Sequence, residues 1–316
     1  MPILVTGAAG LIGSRIVRQL LDRGETVIGF DRTLRTGRLD DVMSEGRIIA
    51  LEGDITDIAA VTTAIAENGV DRVIHTAAVL PPVTEEDPVL GYSINIGGTN
   101  NLFEAARRNG VRRVVYPSSI ATYRDQSDYG DVVLDEESRQ QPFSLYGVSK
   151  LANEFAARAF TARHGLDCRG LRIGTVFGHG RATGRSAAAS AMISRAAAGE
   201  AYVSPVPPEQ TSAYIYVDDV AALMVRTAFA EILTRDVYCA SAHTASLGEI
   251  ADIVRELLPD GDISFSPEAR GFVQVNRISG ARLERDVAYT PPPLRQRIRD
   301  QIDMVRRQRQ LPPSGE

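Results

Sequence analysis

Ile3-Leu4-Val5-Thr6-Gly7-Ala8-Ala9-Gly10-Leu11-Ile12-Gly13 reads as a short apolar strand running into a turn of three glycines, each separated by two residues. A helical pattern opens at once, with Leu11, Ile12, Ile16, Leu20 and Leu21 on one face. Strand, tight turn and helix start, in that order, make a cradle for a pyrophosphate. Glycine lets the backbone approach the phosphates without a Cβ between them. The helix start offers free N–H groups to an anion. Gly7, Gly10, Leu11, Ile12 and Gly13 are the expected cradle.

The next apolar run, Thr26-Val27-Ile28-Gly29-Phe30, ends in Asp31. A carboxylate there accepts hydrogen bonds from the adenosine ribose hydroxyls and repels a 2′-phosphate, so NAD is favoured over NADP. Arg32 weakens that preference without reversing it. The bland alternative has the glycines making only a turn and Asp31 capping a loop. It does not account for strand, turn, helix, strand and acid falling in sequence.

Further along, residues 47–51 read as a strand followed by Gly53-Asp54-Ile55. Asp54 suits either the adenine amino group or the cap of a helix from Thr56 onward, with 58–68 helical. Val73 to Ala78 is a strand and its exit, where Ala77 and Ala78 let the backbone lie against a cofactor. His75 there reads as a packed or surface histidine. Asp87-Pro88 opens a long helix over 88–109. Asn95 falls within it, where an asparagine is usually solvated. A strand over 113–116 leads to Pro117-Ser118-Ser119. A polar loop over 124–142 precedes a second long helix, 146–163, and then a strand from Leu171. This alternation predicts a parallel sheet with helices on both faces.

Beyond Gly178 the composition shifts. Helices are expected over 186–198, up to Ala230, over 247–258 and from Leu294, with short strands at 214–217 and 237–240. The arginines of the last segment, 295, 297, 299, 306, 307 and 309, read as a solvated face.

With 316 residues and a net charge of −5, the chain is long enough for a large core and too acidic for a general nucleic-acid or anionic-membrane role. No apolar run is long enough to span a bilayer. The first strand is expected from residue 3, with no basic-then-apolar leader before it. Cys168 and Cys239 lack metal-ligand spacing, so free buried thiols and no metal are expected. These readings predict a soluble cytoplasmic protein acting on a small molecule.

Tyr146-Gly147-Val148-Ser149-Lys150 puts a phenol and an ammonium four residues apart, on one face of a helix. A nearby cation stabilises a phenolate and brings its pKa, ordinarily about 10, toward neutrality. Ser119, at the end of the preceding strand, can hydrogen-bond the substrate oxygen whose proton the tyrosine takes. The carbon then gives hydride to NAD. Tyr-x-x-x-Lys alone is common by chance; the order of all the pieces is what gives it weight.

Those pieces, Thr6 to Gly13, Asp31, Gly53-Asp54-Ile55, His75 to Ala78, Asn95 to Thr99, Pro117 to Ser119, Tyr146 to Lys150, Leu171 to Gly178 and Tyr214 to Ala221, resemble the extended short-chain dehydrogenase/reductases, the NAD-dependent epimerase/dehydratase group. The resemblance implies an α/β fold: a Rossmann-type doubly wound parallel sheet with a smaller C-terminal substrate-binding domain. It implies a division at 1–174 and 175–316, with part of 214–240 returning to the sheet. It implies Ser119, Tyr146 and Lys150 as the catalytic trio. Gly7, Gly10, Leu11, Ile12, Gly13, Asp31, Arg32, Asp54, Ile55, Ala77, Ala78, Asn95, Tyr146 and Lys150 would hold NAD. Homodimers through helices 88–109 and 146–163 would follow.

Three departures bear on the substrate. Ser212-Ala213 stand where many nucleotide-sugar enzymes of the group have Arg-Asp, and arginine there grips the pyrophosphate. Thr175 stands where many have asparagine. Ile120-Ala121 replace the acidic pair of the dehydratases. Arg181 or Arg185 could substitute for the missing arginine, so Ser119, Thr175, Arg181 and Arg185 are the candidate substrate residues. The expected activity is a net dehydrogenase or reductase on a sugar-like or hydroxy-acid substrate. The alternatives are a nucleotide-sugar 4-epimerase and a non-catalytic NAD-binding regulator.

Overall fold

The computed structural model describes residues 1–181 and 184–312. Seven parallel strands form the main sheet: β1 Pro2–Thr6, β2 Thr26–Asp31, β3 Ile49–Glu52, β4 Arg72–His75, β5 Arg113–Ser119, β6 Asp167–Ile173 and β10 Val237–Ala240. Their order is β10-β6-β5-β4-β1-β2-β3. The connections run outward in opposite directions from β1 and β4, so a crevice opens beyond the carboxyl ends of those two strands. That crevice lies between Thr6-Gly7 and His75-Thr76.

Apolar side chains cover both faces. One face carries the Ile58–Glu67, Thr99–Arg108 and Leu145–His164 helices, with Val61, Leu102, Phe103 and Ala157 in its core. The other carries the Leu11–Asp22 and Val217–Phe229 helices, with Ile16, Leu20, Val220 and Met224 buried. The chain leaves the sheet after β6 into β7 Thr175–Phe177, which pairs in parallel with β9 Thr211–Tyr216; β11 His243–Ser246 adds antiparallel. The short strands β8 Tyr202–Ser204 and β12 Ile263–Phe265 pair separately. The Ala188–Ala197 and Leu294–Gln308 helices share the second core through Met192, Ile298 and Ile302. The Val217–Phe229 helix packs on the main sheet and β10 joins it, whereas β9 lies in the small sheet.

Two expectations are corrected. The helix over 88–109 is not uniform: Pro88–Tyr92 passes into a π-helical segment, Ser93–Gly98, before Thr99–Arg108 resumes. A π-turn inserts an extra residue and redirects a side chain. Here it turns Asn95 inward, and Asn95 is buried rather than solvated. The C-terminal arginines are also not one solvated face, because Arg297 forks onto the fully buried Asp219 and also pairs with Asp300. Among the described residues no helix is long and apolar enough to cross a membrane.

One buried ion pair ties the sheet to the Leu145–His164 helix. Arg172 on β6 donates from Nε to Glu154 Oε1 at 2.9 Å and from Nη2 to Oε2 at 2.8 Å. Ser118 on β5 donates to Glu154 Oε1 at 2.6 Å, and Gln140 donates to Oε2 at 3.1 Å. Arg172 also donates to the Tyr123 hydroxyl at 2.6 Å and the Glu136 carbonyl at 3.1 Å. Burial pushes the Glu154 carboxyl up, but the hydrogen bonds and charge of Arg172 outweigh it and hold it below the ordinary carboxylate range.

Arg172→Met removes the buried counter-ion of Glu154, leaving only the exposed Arg158 at 3.3 Å, and is expected to cost about 3–5 kcal/mol in urea unfolding at neutral pH. The double variant Glu154→Met/Arg172→Met is expected to recover much of that loss; equal destabilisation of single and double variants would count against the pair. Because the folded Glu154 pKa is depressed, its contribution is complete above the unfolded value, about 4.3, and fades as acid passes the folded one.

Candidate active site

The cradle is built by close backbone approach. Gly7 sits at φ +67° at the end of β1, and a Cβ on Gly13 would fall 2.1 Å from the Gly7 carbonyl oxygen. Thr76 Oγ1 donates to the carbonyls of Thr6 at 2.8 Å and Gly7 at 3.2 Å, tying the ends of β1 and β4 together. Ala77 follows with its backbone against Gly7, and Ala78 is half-buried beside it. Gly10 begins the Leu11–Asp22 helix without a side-chain cap. The first-turn amides of Leu11, Ile12 and Gly13 therefore remain open to an anion.

Asp31 Oδ2 accepts from the Ala9 amide at 3.0 Å and Oδ1 from the Arg32 amide at 2.8 Å, which aims the carboxylate beside the cradle. Asp54 Oδ1 accepts from the Thr56 amide and hydroxyl, both at 2.8 Å, and the backbone bond holds its pKa down. The cap of the Ile58–Glu67 helix is Asp57, not Asp54. Ile55 is buried under the π-helical segment, against Gly98. Asn95 exchanges two hydrogen bonds of 2.9 Å with the backbone of Val79, pinning the loop after β4. His75 is packed: it bonds Thr6 and Thr99, and burial, aided by Lys150, lowers its pKa to about 3. Arg38 reaches the carbonyls of Ala9 and Gly180, both at 3.4 Å. The sequence carries no local sign of Arg38, because it acts by folding back from a loop.

Ser119 ends β5 and its Oγ accepts from the Ala121 amide at 3.1 Å, leaving its proton free to donate. Ser144 caps the Leu145–His164 helix through the Gly147 amide at 3.1 Å. A Cβ on Gly147 would fall 2.2 Å from the Ala121 carbonyl oxygen, so only glycine lets the helix start press onto the turn after Ser119. That contact brings Tyr146 to Ser119. Burial pushes the Tyr146 phenol up to about 12, while the Ser119 hydrogen bond and the Arg181 charge pull it down. Lys150 is buried, and burial lowers it to about 8. Its ammonium lies 5.4 Å from the centre of the Tyr146 ring. Lys150 is thus stacked over the ring face, one helical turn on, and Arg181 is the cation that acts on the phenol here.

The structure treats the substrate candidates unequally. Thr175 is buried on β7 and accepts from Gln274 Nε2 at 2.8 Å. The Arg181 charge couples to the phenols of Tyr146 and Tyr214. Arg185 is exposed and turned to the Gly271 carbonyl at 3.2 Å, away from the phenol. Ser212 and Ala213 are wholly buried on β9. Glu85 accepts from the Tyr146 amide at 3.3 Å. Gln274, Tyr214 and Glu85 carry no motif, and only the fold brings them here. An open cleft of about 330 Å³ adjoins Gln274, lined by Asp125, Gln126, Gln210 and Asn276.

The cradle, the aimed Asp31 carboxylate and the uncapped helix start fit a dinucleotide, and the Ser119–Tyr146 pair beside them fits proton transfer to and from an alcohol. A family model described as "NAD dependent epimerase/dehydratase family" matches residues 3–238. The chain is 34% identical over 188 residues to a 3 beta-hydroxysteroid dehydrogenase/Delta 5-->4-isomerase of Mycobacterium tuberculosis. That match covers 57% of this chain and 48% of the relative, so this chain spans about half of the relative's length. It is 30% identical over 310 residues to a UDP-glucose 4-epimerase of Mycolicibacterium smegmatis, covering 92% of this chain and 94% of that one. Among solved structures, the UDP-glucose 4-epimerase of Thermus thermophilus in complex with NAD superposes with a TM-score of 0.83 at 27% identity, over 97% of this chain and 99% of that one.

Lys150 has a measurable cost. Its folded pKa of about 8 lies below the ordinary 10.5, so the folded protein binds the proton less well than the unfolded chain. At neutral pH the charged lysine therefore destabilises the fold by up to about 3 kcal/mol, relieved as pH rises from the folded toward the unfolded pKa. Lys150→Met is expected to raise the unfolding midpoint of the cofactor-free protein in urea at pH 7. A lowered midpoint would contradict an uncompensated buried charge.

Proposed function

The chain belongs to the NAD-dependent epimerase/dehydratase family, and on that premise we propose an NAD-dependent oxidoreductase that takes hydride reversibly from a secondary alcohol carbon. Its substrate is sugar-like or a hydroxy acid, and turnover is net oxidation or reduction. The observation that carries this reading is the meeting of Ser119 with Tyr146 and Lys150 beside the uncapped start of the Leu11–Asp22 helix.

In this reading Gly7, Gly10 and the amides of Leu11, Ile12 and Gly13 hold the pyrophosphate, and Asp31 the adenosine ribose. Asp54 and Ile55 flank the adenine, and Ala77, Ala78 and the Asn95-pinned loop lie along the nicotinamide half. Lys150 holds the nicotinamide ribose. Ser119 donates to the substrate oxygen, and Tyr146 receives its proton, aided by the nearby cations. The bound NAD supplies the hydride acceptor.

Dehydrogenation is favoured over nucleotide-sugar epimerisation because Ser212 and Ala213 bring no arginine from β9, and both are enclosed. The 4-epimerase reading draws its support from the nearly full-length similarity to the Mycolicibacterium smegmatis enzyme. A non-catalytic regulator has no need of the assembled trio. Proposed with the activity are a division near residue 174 and a homodimer through the 88–109 and 146–163 stretches. Apolar Val89 at 81% and Phe155 at 62% exposure, on those helices, support the dimer. Two free buried thiols accord with a cytoplasmic enzyme.

Purified protein given NAD with free hydroxy acids and sugars is expected to accumulate NADH. Inversion of a nucleotide-sugar without net NADH would replace this reading with the epimerase. Tyr146→Phe is expected to lower kcat by about 10²–10⁴ while NAD still binds in calorimetry; full activity would sink the proton-transfer role. Asp31→Ala is expected to narrow the NAD-over-NADP preference in kcat/KM, and a wild type that already prefers NADP would contradict the role given to Asp31.

A further inference from the structure

Arg181 is a half-buried cation without a counter-ion among the described residues. Its Nη2 donates to Ser186 Oγ at 2.6 Å, and its Nε is buried without a hydrogen-bond partner among the described residues. No carboxylate among the described residues pairs with it, whereas Arg172 and Arg297 each have one. Interior cations are tolerated when an anion completes them. Arg181 lies four residues past the end of β7, and its charge couples to the phenols of Tyr146 and Tyr214. The missing anion therefore belongs in the substrate pocket.

We propose that Arg181 recognises a carboxylate that the substrate carries close to the alcohol carbon served by Tyr146, which makes the substrate class a short hydroxy-carboxylate. This rests on the hydride-transfer reading of the same site. A single planar guanidinium matches one carboxylate through two parallel hydrogen bonds. A pyrophosphate brings two charged groups and calls for further cations. Arg185 is turned to Gly271, and Ser212-Ala213 offer none. Position agrees with this. In a nucleotide-sugar the pyrophosphate hangs from C1, across the ring from a reacting C4 hydroxyl. The Arg181 charge bears on the Tyr146 phenol, so an anion held by Arg181 would lie on the reacting side of the substrate. The reaction balances without the carboxylate changing: the carbinol C–H leaves as hydride to NAD, the O–H proton passes to Tyr146, and the alcohol becomes a ketone.

The test uses substrates that differ only in charge: 3-hydroxybutyrate against 3-hydroxybutyramide, and D-gluconate against D-gluconamide, with NAD and UDP-glucose as a further arm. Wild type is expected to favour the acids in kcat/KM by on the order of 30-fold, the scale of one charged hydrogen-bonding pair. In Arg181→Met the acid-to-amide ratio is expected to fall to about one, with Arg181→Lys between. Removing the positive charge is also expected to move the Tyr146 limb of the pH profile to higher pH. A second arm needs no turnover: isobutyrate is expected to bind the protein–NADH complex more tightly than isobutyramide in calorimetry, and Arg181→Met to abolish the difference. Equal handling of acid and amide in both arms overturns the proposal. So does an Arg181→Met variant that keeps the ratio but loses NAD affinity, because Arg181 would then serve the dinucleotide. Acid-selective binding with no NADH from any alcohol would sustain the carboxylate site and defeat the hydride-transfer reading instead.

Discussion

The contact between Glu154 and Arg172 holds the reacting part of the molecule together. One carboxylate, fully enclosed, is shared by the sheet, the helix and the loop over the site. Through Ser118 it fixes the strand end that presents Ser119. It lies one helical turn beyond Lys150, so it also fixes the helix that presents Tyr146. Through Arg172 and Tyr123 it reaches the loop that runs to Asp135. A buried pair of this kind either closes with its full set of hydrogen bonds or leaves a bare charge in the interior. That all-or-none character suits a site where the phenol and the serine must stay in register.

Against that satisfied frame, the cleft is lined by groups left unsatisfied, nearly all of one kind. The Leu11–Asp22 helix begins without a side-chain cap, and among the described residues neither Lys150 nor Arg181 has a carboxylate partner. Each of these costs stability in the empty protein. Together they leave the cleft short of negative charge, which suits a phosphate-bearing dinucleotide and, in the reading proposed above, a substrate carboxylate. The stability lost at the site is the counterpart of what it binds, as in other proteins where function and stability oppose each other.

The C-terminal half is mechanically part of this arrangement. Its helices share the core under one face of the main sheet, and β10 extends that sheet beyond β6. The loop over the site is stitched to residues 274–278: Asp125 accepts from the Gln274 amide at 3.0 Å, Gln126 accepts from the Arg277 amide at 3.0 Å, and Leu134 bridges to Ile278. The neighbouring acidic run Asp135-Glu136-Glu137 is answered by Arg282. Residues from distant parts of the chain are thereby held together over the cleft.

Much of this was legible before any folding was considered. Strand-turn-helix with glycines at 7, 10 and 13, an acid at 31, a serine at 119 and a Tyr–Lys pair at 146 and 150 are local patterns, and local sterics and helix periodicity dictate what they do. The alternation of strands and helices fixed the parallel sheet for the same reason. What stayed hidden depends on contacts far apart in sequence. Asn95 is buried because a π-turn rotates it toward Val79. Arg297 leaves a row of solvated arginines because Asp219 lies beneath it. Gln274 meets Thr175 across 99 residues. The sequence by itself determined the parallel sheet, the glycine turn with its uncapped helix start, and the placing of Tyr146 and Lys150 on one helix after the strand that ends in Ser119. Only the tertiary structure decided which arginine faces the phenol, because Arg181 and Arg185 are alike in sequence and differ only in what the fold sets beside them.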